Sequence, residues 1–282
     1  MMFLMTTRAF LTLIKFRITL MITLTAMAGY GLAPDHVWDS RFVLMTIGTF
    51  FITAGASTVN MYVERETDAL MNRTRKRPLP LNMLTPMAAL TLGMGISLFG
   101  LLVLLVVGLL PVSLALLSWV VYIVVYTPMK AKTSLNTVVG AIPGALPTLI
   151  GWTAAGSPLT MLAFVPFFLM FAWQIPHFLA LAWMYRDDYE QGGLQMLTVQ
   201  DKEGGMVGRQ ALLWAICLVP ITAAPLLAEG ATAPGPLMSV LLSLVFVGFA
   251  ARFAMRRDRK TAASLFGVSL LYLPCVFGLL LL

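Results

Sequence analysis

Apolar residues run through this chain in long blocks, not in the narrow helical stripes or period-two alternation of a water-soluble domain. The blocks fall at about 18–34, 42–62, 87–110, 111–126, 137–156, 159–184, 211–228, 236–255 and 263–282, with short polar segments between them. A helix of about 20 apolar residues crosses a bilayer core, so the pattern predicts nine membrane spans. The third and fourth blocks almost merge, yet one helix over both would be roughly 60 Å long, twice the hydrocarbon thickness. Gly108 and Pro111 supply the turn between them. The first block, with its basic flank, could imitate a secretory signal. Its length, at the lower end of the spanning range, is read as an uncleaved first span.

Composition agrees with lipid as the main solvent. Hydrophobic residues make up 59% of the 282 and charged ones only 11%, too few to cover a water-facing surface. The expected fold is an all-α polytopic membrane helix bundle, organised as one domain over residues 1–282. A net charge of +7 would be compatible with nucleic acid, but the basic residues sit in loops between apolar blocks and are not interleaved with aromatics. The bilayer, and no nucleic acid, is therefore the expected surroundings. Cys217 and Cys275 lie far apart inside apolar blocks, with no CxxC spacing, and are read as small hydrophobic packing residues.

Assigning the loops to alternate sides of nine spans separates the charges. Of the 19 Lys and Arg residues only Arg41 falls on one side, so the other face is expected to be cytoplasmic, with the N-terminus inside and the C-terminus outside. Of the 12 acids, all but Asp35, Asp39 and Glu229 follow the bases. Topology signals explain the bases but do not require the acids. Acids gathered at the ends of the second and sixth spans point to metal or substrate binding.

The second span ends in Asn60-Met-Tyr-Val-Glu64-Arg-Glu-Thr-Asp68. On a continuing helix, positions i, i+4 and i+8 share one face and form a column about 12 Å long. An amide and two carboxylates are hard oxygen donors of the kind that hold Mg²⁺ together with substrate phosphates. Arg73, Arg75, Lys76 and Arg77 follow and could hold the remaining phosphate charge. The plainer reading, a solvated helix end with ordinary ion pairs, fits less well because Asn60 lies inside the end of a span, where polar groups are costly. The sixth span ends in Tyr185-Arg186-Asp187-Asp188-Tyr189-Glu190. Two facing carboxylate patches could grip a diphosphate through Mg²⁺ from both sides.

Other polar positions leave alternatives open. Lys130 and Lys132, behind Tyr126, are topology anchors or phosphate contacts; the same alternatives apply to Lys15 and Arg17, with the anchor preferred. His177, the only histidine inside a span, is either satisfied by a neighbouring helix or serves as a haem ligand, a general base or a porphyrin-carboxylate contact.

Asn60-x-x-x-Glu64-x-x-x-Asp68 followed by NRTRKRPL resembles the first signature of the UbiA-type intramembrane prenyltransferases, in detail their haem-modifying branch. The likeness continues through YTPMKAKTSLNTVVGAIPGALPTLIGWTAAG at 126–156, WQIPHFLALAW at 173–183 and YRDDYEQGG at 185–193, and covers most of the chain from about residue 15. Most bacterial members carry Asp where this chain has Glu64, and PMLP where it has Gln195-Met-Leu-Thr198; both departures are similar to the mitochondrial-type members. The resemblance implies nine helices around a central cavity with helical caps on the cytoplasmic side. It implies farnesyl diphosphate and haem B as substrates, Mg²⁺ as cofactor, a bacterial inner-membrane location and a haem A synthase acting downstream. It carries the Mg²⁺ and diphosphate ligands onto Asn60, Glu64, Asp68 and Asp188, with Lys130, Tyr126, Arg73, Arg77 and His177 as substrate-binding residues. The same fold could instead prenylate an aromatic quinone precursor. A secondary transporter should place its ionisable groups near the midplane and show paired halves, whereas these acids sit at one edge.

Overall fold

A computed structural model describes residues 6–227 and 234–282; Glu229, assigned above to the outer side, lies outside the described residues. The chain forms α1 (Thr7–Leu13), α2 (Phe16–Gly31), α3 (Ser40–Val63), α4 (Arg65–Leu70), α5 (Pro86–Val107) and α6 (Leu109–Val120). A π-helical turn, Val121–Tyr126, joins α6 to α7 (Thr127–Met129) in one continuous span. Then come α8 (Asn136–Ala154), α9 (Phe164–Met184), α10 (Arg186–Gln191), α11 (Leu197–Gln200), α12 (Gly205–Ala223), α13 (Pro234–Arg256) and α14 (Arg259–Leu280). Eight of these segments are long and apolar enough to cross a membrane, and the bent pair α1 and α2 supplies a ninth. The protein is a multi-pass membrane protein.

Two boundaries differ from the expectation, and both shape the site. The first span does not begin at Ile18 in a featureless flank; α1 precedes it and meets α2 at 53°. Lys15 makes that bend by adopting a left-handed conformation, φ 47°, which ends one helix and starts the next. The second span does not run unbroken to Asp68. Its helix stops at Val63, Glu64 leaves helical geometry at φ −87° and ψ 4°, and α4 restarts at Arg65. Between α5 and α6 the chain turns at Gly108, as the length argument requires.

Small residues bring the inner helices close. α3 packs along α5 through Gly48, Gly55, Gly93 and Gly100, where a Cβ on Gly100 would stand 2.4 Å from Ile52 N. α2 packs on α8 still more tightly: a Cβ on Gly151 would lie 1.8 Å from Ala26 O. Without a hydrophobic drive between helices in lipid, this backbone approach and the contacts it allows supply the packing energy. α8 is the most enclosed span, 72% of its apolar window being buried against 17% for the α6 span. It touches α2, α6 and α9, and α9 in turn packs on α12 and α14. The C-terminal ends of α3, α7 and α9 and the N-terminal end of α2 therefore share the basic face, where α4 and α10 cap the bundle.

Candidate functional site

Asn60 lies on the last turn of α3 and is fully buried; Asp68, in α4, is 1% exposed. Across the break between the two helices, Glu64 N donates to Asn60 O (2.9 Å) and Asp68 N to Glu64 O (2.8 Å). The i to i+4 spacing thus persists through a helix interruption, and the three side chains stay in one column.

Every member of the column holds a cation. Lys15 Nζ donates to Asn60 Oδ1, Lys130 Nζ to Glu64 Oε1 at 2.7 Å, and Arg77 Nη1 to Asp68 Oδ2 at 2.6 Å. The Asn60 amide is oriented from behind: its Nδ2 donates to Thr127 Oγ1 (3.0 Å), which donates to Tyr122 O (2.7 Å). That leaves Oδ1 for the lysine. Lys130 Nζ also sits 4.5 Å from the Tyr126 ring centroid, a cation on an aromatic face. Tyr126 stacks on Tyr122 and can lie against α8 because Gly140 has no Cβ, which would come within 2.5 Å of the ring.

Burial by itself would push the Glu64 carboxyl up; Lys130, then Lys15 and Arg77, outweigh it and hold Glu64 at about 2. Burial likewise works against the Lys130 ammonium, and Glu64 first among its neighbours keeps it well above the ordinary lysine range. Both groups are ionised at neutral pH. One atom remains unmatched: Asp68 Oδ1 is sealed from solvent and has no hydrogen-bond partner. A buried carboxylate oxygen without a donor is costly. Among the described residues no three His, Cys, Asp or Glu side chains converge. The donor set is two carboxylates and an amide, and it fits Mg²⁺, which uses one or two carboxylates and completes its shell with water and phosphate.

Asp188, expected among the Mg²⁺ ligands, stands on the rim with both oxygens on backbone N–H groups. Its Oδ1 accepts from Asn72 N (3.0 Å) and its Oδ2 from Arg73 N (2.9 Å), so it clamps α10 onto the loop after α4. Each oxygen keeps a further lone pair. Arg73 donates to Tyr189 Oη (3.2 Å), and its guanidinium lies 5.4 Å from the Tyr185 ring and 5.6 Å from the Tyr189 ring. Arg77, Lys130 and Tyr126 thus gather on the column, while Arg73 and Asp188 gather on the rim beside it. His177 joins neither group. It stands seven residues before the end of α9, about 10 Å deeper at 1.5 Å per residue, with Nδ1 2.7 Å from Ser269 Oγ of α14.

Lys15, for which the anchor is the preferred reading over a phosphate contact, has its ammonium on Asn60, a placement compatible with either role. The signal available in the sequence was the pair Lys15 and Arg17 at the very start of an apolar block, which does not distinguish an anchor from a ligand. Thr127, which orients Asn60, carried no signal beyond its place in the YTP segment.

The chain matches the model of the UbiA prenyltransferase family over residues 22–274. It is 37% identical over 286 residues to a protoheme IX farnesyltransferase of Solibacter usitatus, covering 98% of both chains. To the human mitochondrial protoheme IX farnesyltransferase it is 34% identical over 95% of this chain and 60% of the human one. Among solved structures, a digeranylgeranylglyceryl phosphate synthase superposes with a TM-score of 0.81 at 15% identity over 97% and 96% of the two chains. A UbiA homologue from Archaeoglobus fulgidus bound to GPP and Mg²⁺ superposes with a TM-score of 0.71 at 16% identity over 96% and 99%. With the family model spanning most of its length and relatives of this similarity end to end, the chain belongs to the UbiA prenyltransferase family.

Proposed function

We propose that this chain transfers the farnesyl group of farnesyl diphosphate to a vinyl group of haem B with addition of water, giving haem O and diphosphate for haem-copper oxidases. The names of the bacterial and mitochondrial relatives support this donor and acceptor. The Archaeoglobus neighbour, with GPP and Mg²⁺, supports the donor half. The observation that carries the reading is the oxygen column itself: three stacked donors, each holding a cation, with Asp68 Oδ1 sealed and unpartnered.

Asn60, Glu64 and Asp68 are the proposed Mg²⁺ ligands, and Asp188 offers its remaining lone pairs from the rim. Bound there, the metal would supply Lewis-acid neutralisation of the leaving diphosphate. Lys15, Lys130 and Arg77, now paired with the column, pass to phosphate oxygens when the donor enters, and Arg73 contributes from the rim. These are preorganised charges aimed where negative charge develops. As the C–O bond breaks, its electron pair departs with the diphosphate and an allylic farnesyl cation remains. The π electrons of the vinyl group form the new C–C bond at its terminal carbon, leaving positive charge beside the porphyrin. Water adds there and loses a proton, which leaves the hydroxyl. The surrounding apolar helices must keep water from the first cation.

The proposed location is a bacterial inner membrane, and the one-sided distribution of Lys and Arg supports a cytoplasmic N-terminus and an outside C-terminus. A haem A synthase is the proposed consumer of the product. The test is mass spectrometry of haem extracted from cells lacking and then regaining the gene, beside purified protein given farnesyl diphosphate with haem B or with 4-hydroxybenzoate. Haem O is the expected product; a farnesylated benzoate in its place overturns the reading.

A further inference from the structure

His177 is held as few side chains in this bundle are. Its ring stacks with Trp173, at 4.9 Å and 23°, and with Phe266, at 4.7 Å and 27°. Trp173 Nε1 donates to Ser269 O (2.9 Å), which ties the same turn of α14 to α9. These contacts restrain the ring plane.

The hydrogen bonds also fix the tautomer. Ser269 Oγ donates its proton to Phe266 O at 2.5 Å. With its single hydrogen committed there, the hydroxyl must accept from His177 Nδ1 at 2.7 Å, so Nδ1 carries the N–H. In the neutral ring the lone pair then resides on Nε2. Among the described residues Nε2 makes no hydrogen bond, and it is not one of the two unpartnered side-chain atoms sealed from solvent, Thr49 Oγ1 and Asp68 Oδ1. It is therefore a reachable, unused electron pair on a ring restrained by two stacking contacts and one hydrogen bond. A metal-binding histidine has this arrangement: the remote N–H is donated to an acceptor that fixes the tautomer and orientation and leaves the other nitrogen to the metal.

We propose that His177 Nε2 is an axial ligand to the iron of a metalloporphyrin acceptor, with Ser269 as its positioning residue. The inference rests on the haem reading above and adds where the acceptor stands. Ligation about 10 Å below the end of α9 places the macrocycle inside the bundle, beneath the diphosphate site, with its plane across the His177 ring and its edge toward the oxygen column. Trp173 and Phe266 then meet the macrocycle with their edges.

The test uses the purified full chain in nanodiscs, titrated with ferric haem B and followed by absorption and electron paramagnetic resonance spectra. The wild type is expected to give a histidine-ligated spectrum. His177→Ala should lose it, regain it with added imidazole, and still bind inorganic pyrophosphate in a Mg²⁺-dependent way, which shows that the fold survives. Ser269→Ala should keep the ligand but weaken haem binding by about tenfold, as loss of an orienting partner does at metal sites. A His177→Ala protein that binds pyrophosphate and gives the wild-type haem spectrum overturns this inference while leaving the haem reading intact. The same holds if His177→Ala loses activity with an unchanged iron spectrum, which would make the ring a proton carrier. A wild type that binds no haem, while binding Mg²⁺ and pyrophosphate, overturns both.

Discussion

Lys15 and Asn60, 45 residues apart, are joined through Nζ and Oδ1 at the point where the first and second spans meet the basic face. The lysine comes from a left-handed bend between two helices and the asparagine from the last turn of a third, so this contact sets how α2 leans on α3. Lys15→Met is expected to lower kcat/KM for the prenyl diphosphate by about a hundredfold, the scale for removing one preorganised electrostatic group. Lys15→Arg should recover part of it. Steady-state kinetics on both variants decide the matter, and wild-type values in Lys15→Met would return Lys15 to the role of anchor.

The unpartnered oxygen of Asp68 predicts a thermal signature. Mg²⁺ with pyrophosphate should raise the melting temperature of the wild type, since a ligand at a hundred times its Kd stabilises by about 2.7 kcal/mol. Asp68→Asn should show no such rise and no prenyl transfer. A melting curve of Asp68→Asn that still climbs with Mg²⁺ and pyrophosphate would mean that the metal sits elsewhere.

Glu64 predicts a pH window in the ligand-free protein. Its folded-state value of about 2 is below the 4.5 of an unperturbed glutamate. Its contribution to stability is thus complete above about pH 4.5 and is lost as pH falls toward 2. Glu64→Gln removes that contribution and should flatten the stability profile between pH 4.5 and 2 relative to wild type, as read by chemical unfolding in detergent. Superimposable profiles would show that the pairing with Lys130 does not couple to folding.

The loop after α10 departs from the proline-rich pattern of the bacterial relatives, and here the replaced residue makes a bond. Gln195 N donates to Lys130 O at 2.7 Å, and Gln195 O accepts from Asn136 Nδ2 at 3.1 Å. Gln195→Pro removes the first bond, a change worth about 1 kcal/mol, and loosens the segment that carries Lys130. A several-fold rise in KM for farnesyl diphosphate is expected. Thr198→Pro falls in the first turn of α11, where proline is tolerated, and should change KM little. Equal effects of the two substitutions would remove Gln195 from any part in holding Lys130.

Gly151 predicts a structural failure that reaches the site. A methyl there would need the space of Ala26 O, so Gly151→Ala must push α2 off α8, at a cost of about 3 kcal/mol at the upper end of overpacking effects. α2 follows directly on Lys15, and pyrophosphate binding should weaken along with thermal stability. A stable Gly151→Ala protein with normal binding would contradict the close approach.

Spans were legible because hydropathy over 18 or more residues needs no partner to interpret. The column of Asn60, Glu64 and Asp68 was legible because a four-residue spacing keeps its face even across the break at Glu64, where the backbone bonds continue. What was hidden depends on contacts between distant segments. That Lys15 serves Asn60 depends on a single left-handed residue, and positive φ at a lysine has no sequence signature. Asp188 reads as a ligand from the second carboxylate patch and the family resemblance; its grip on the N–H groups of residues 72 and 73 emerges only when α10 meets that loop. The partner of His177 Nδ1 is Ser269, 92 residues away.

The three cations on the oxygen column come from residues 15, 77 and 130, all within the first four spans and the loops that flank them. Everything that matches the charge of Glu64 and Asp68 is therefore encoded ahead of the fifth span, and the polar end of the second span carries its counter-charges within the same half of the chain. The later half adds Asp188, whose two oxygens join α10 to residues 72 and 73 beside an already paired column.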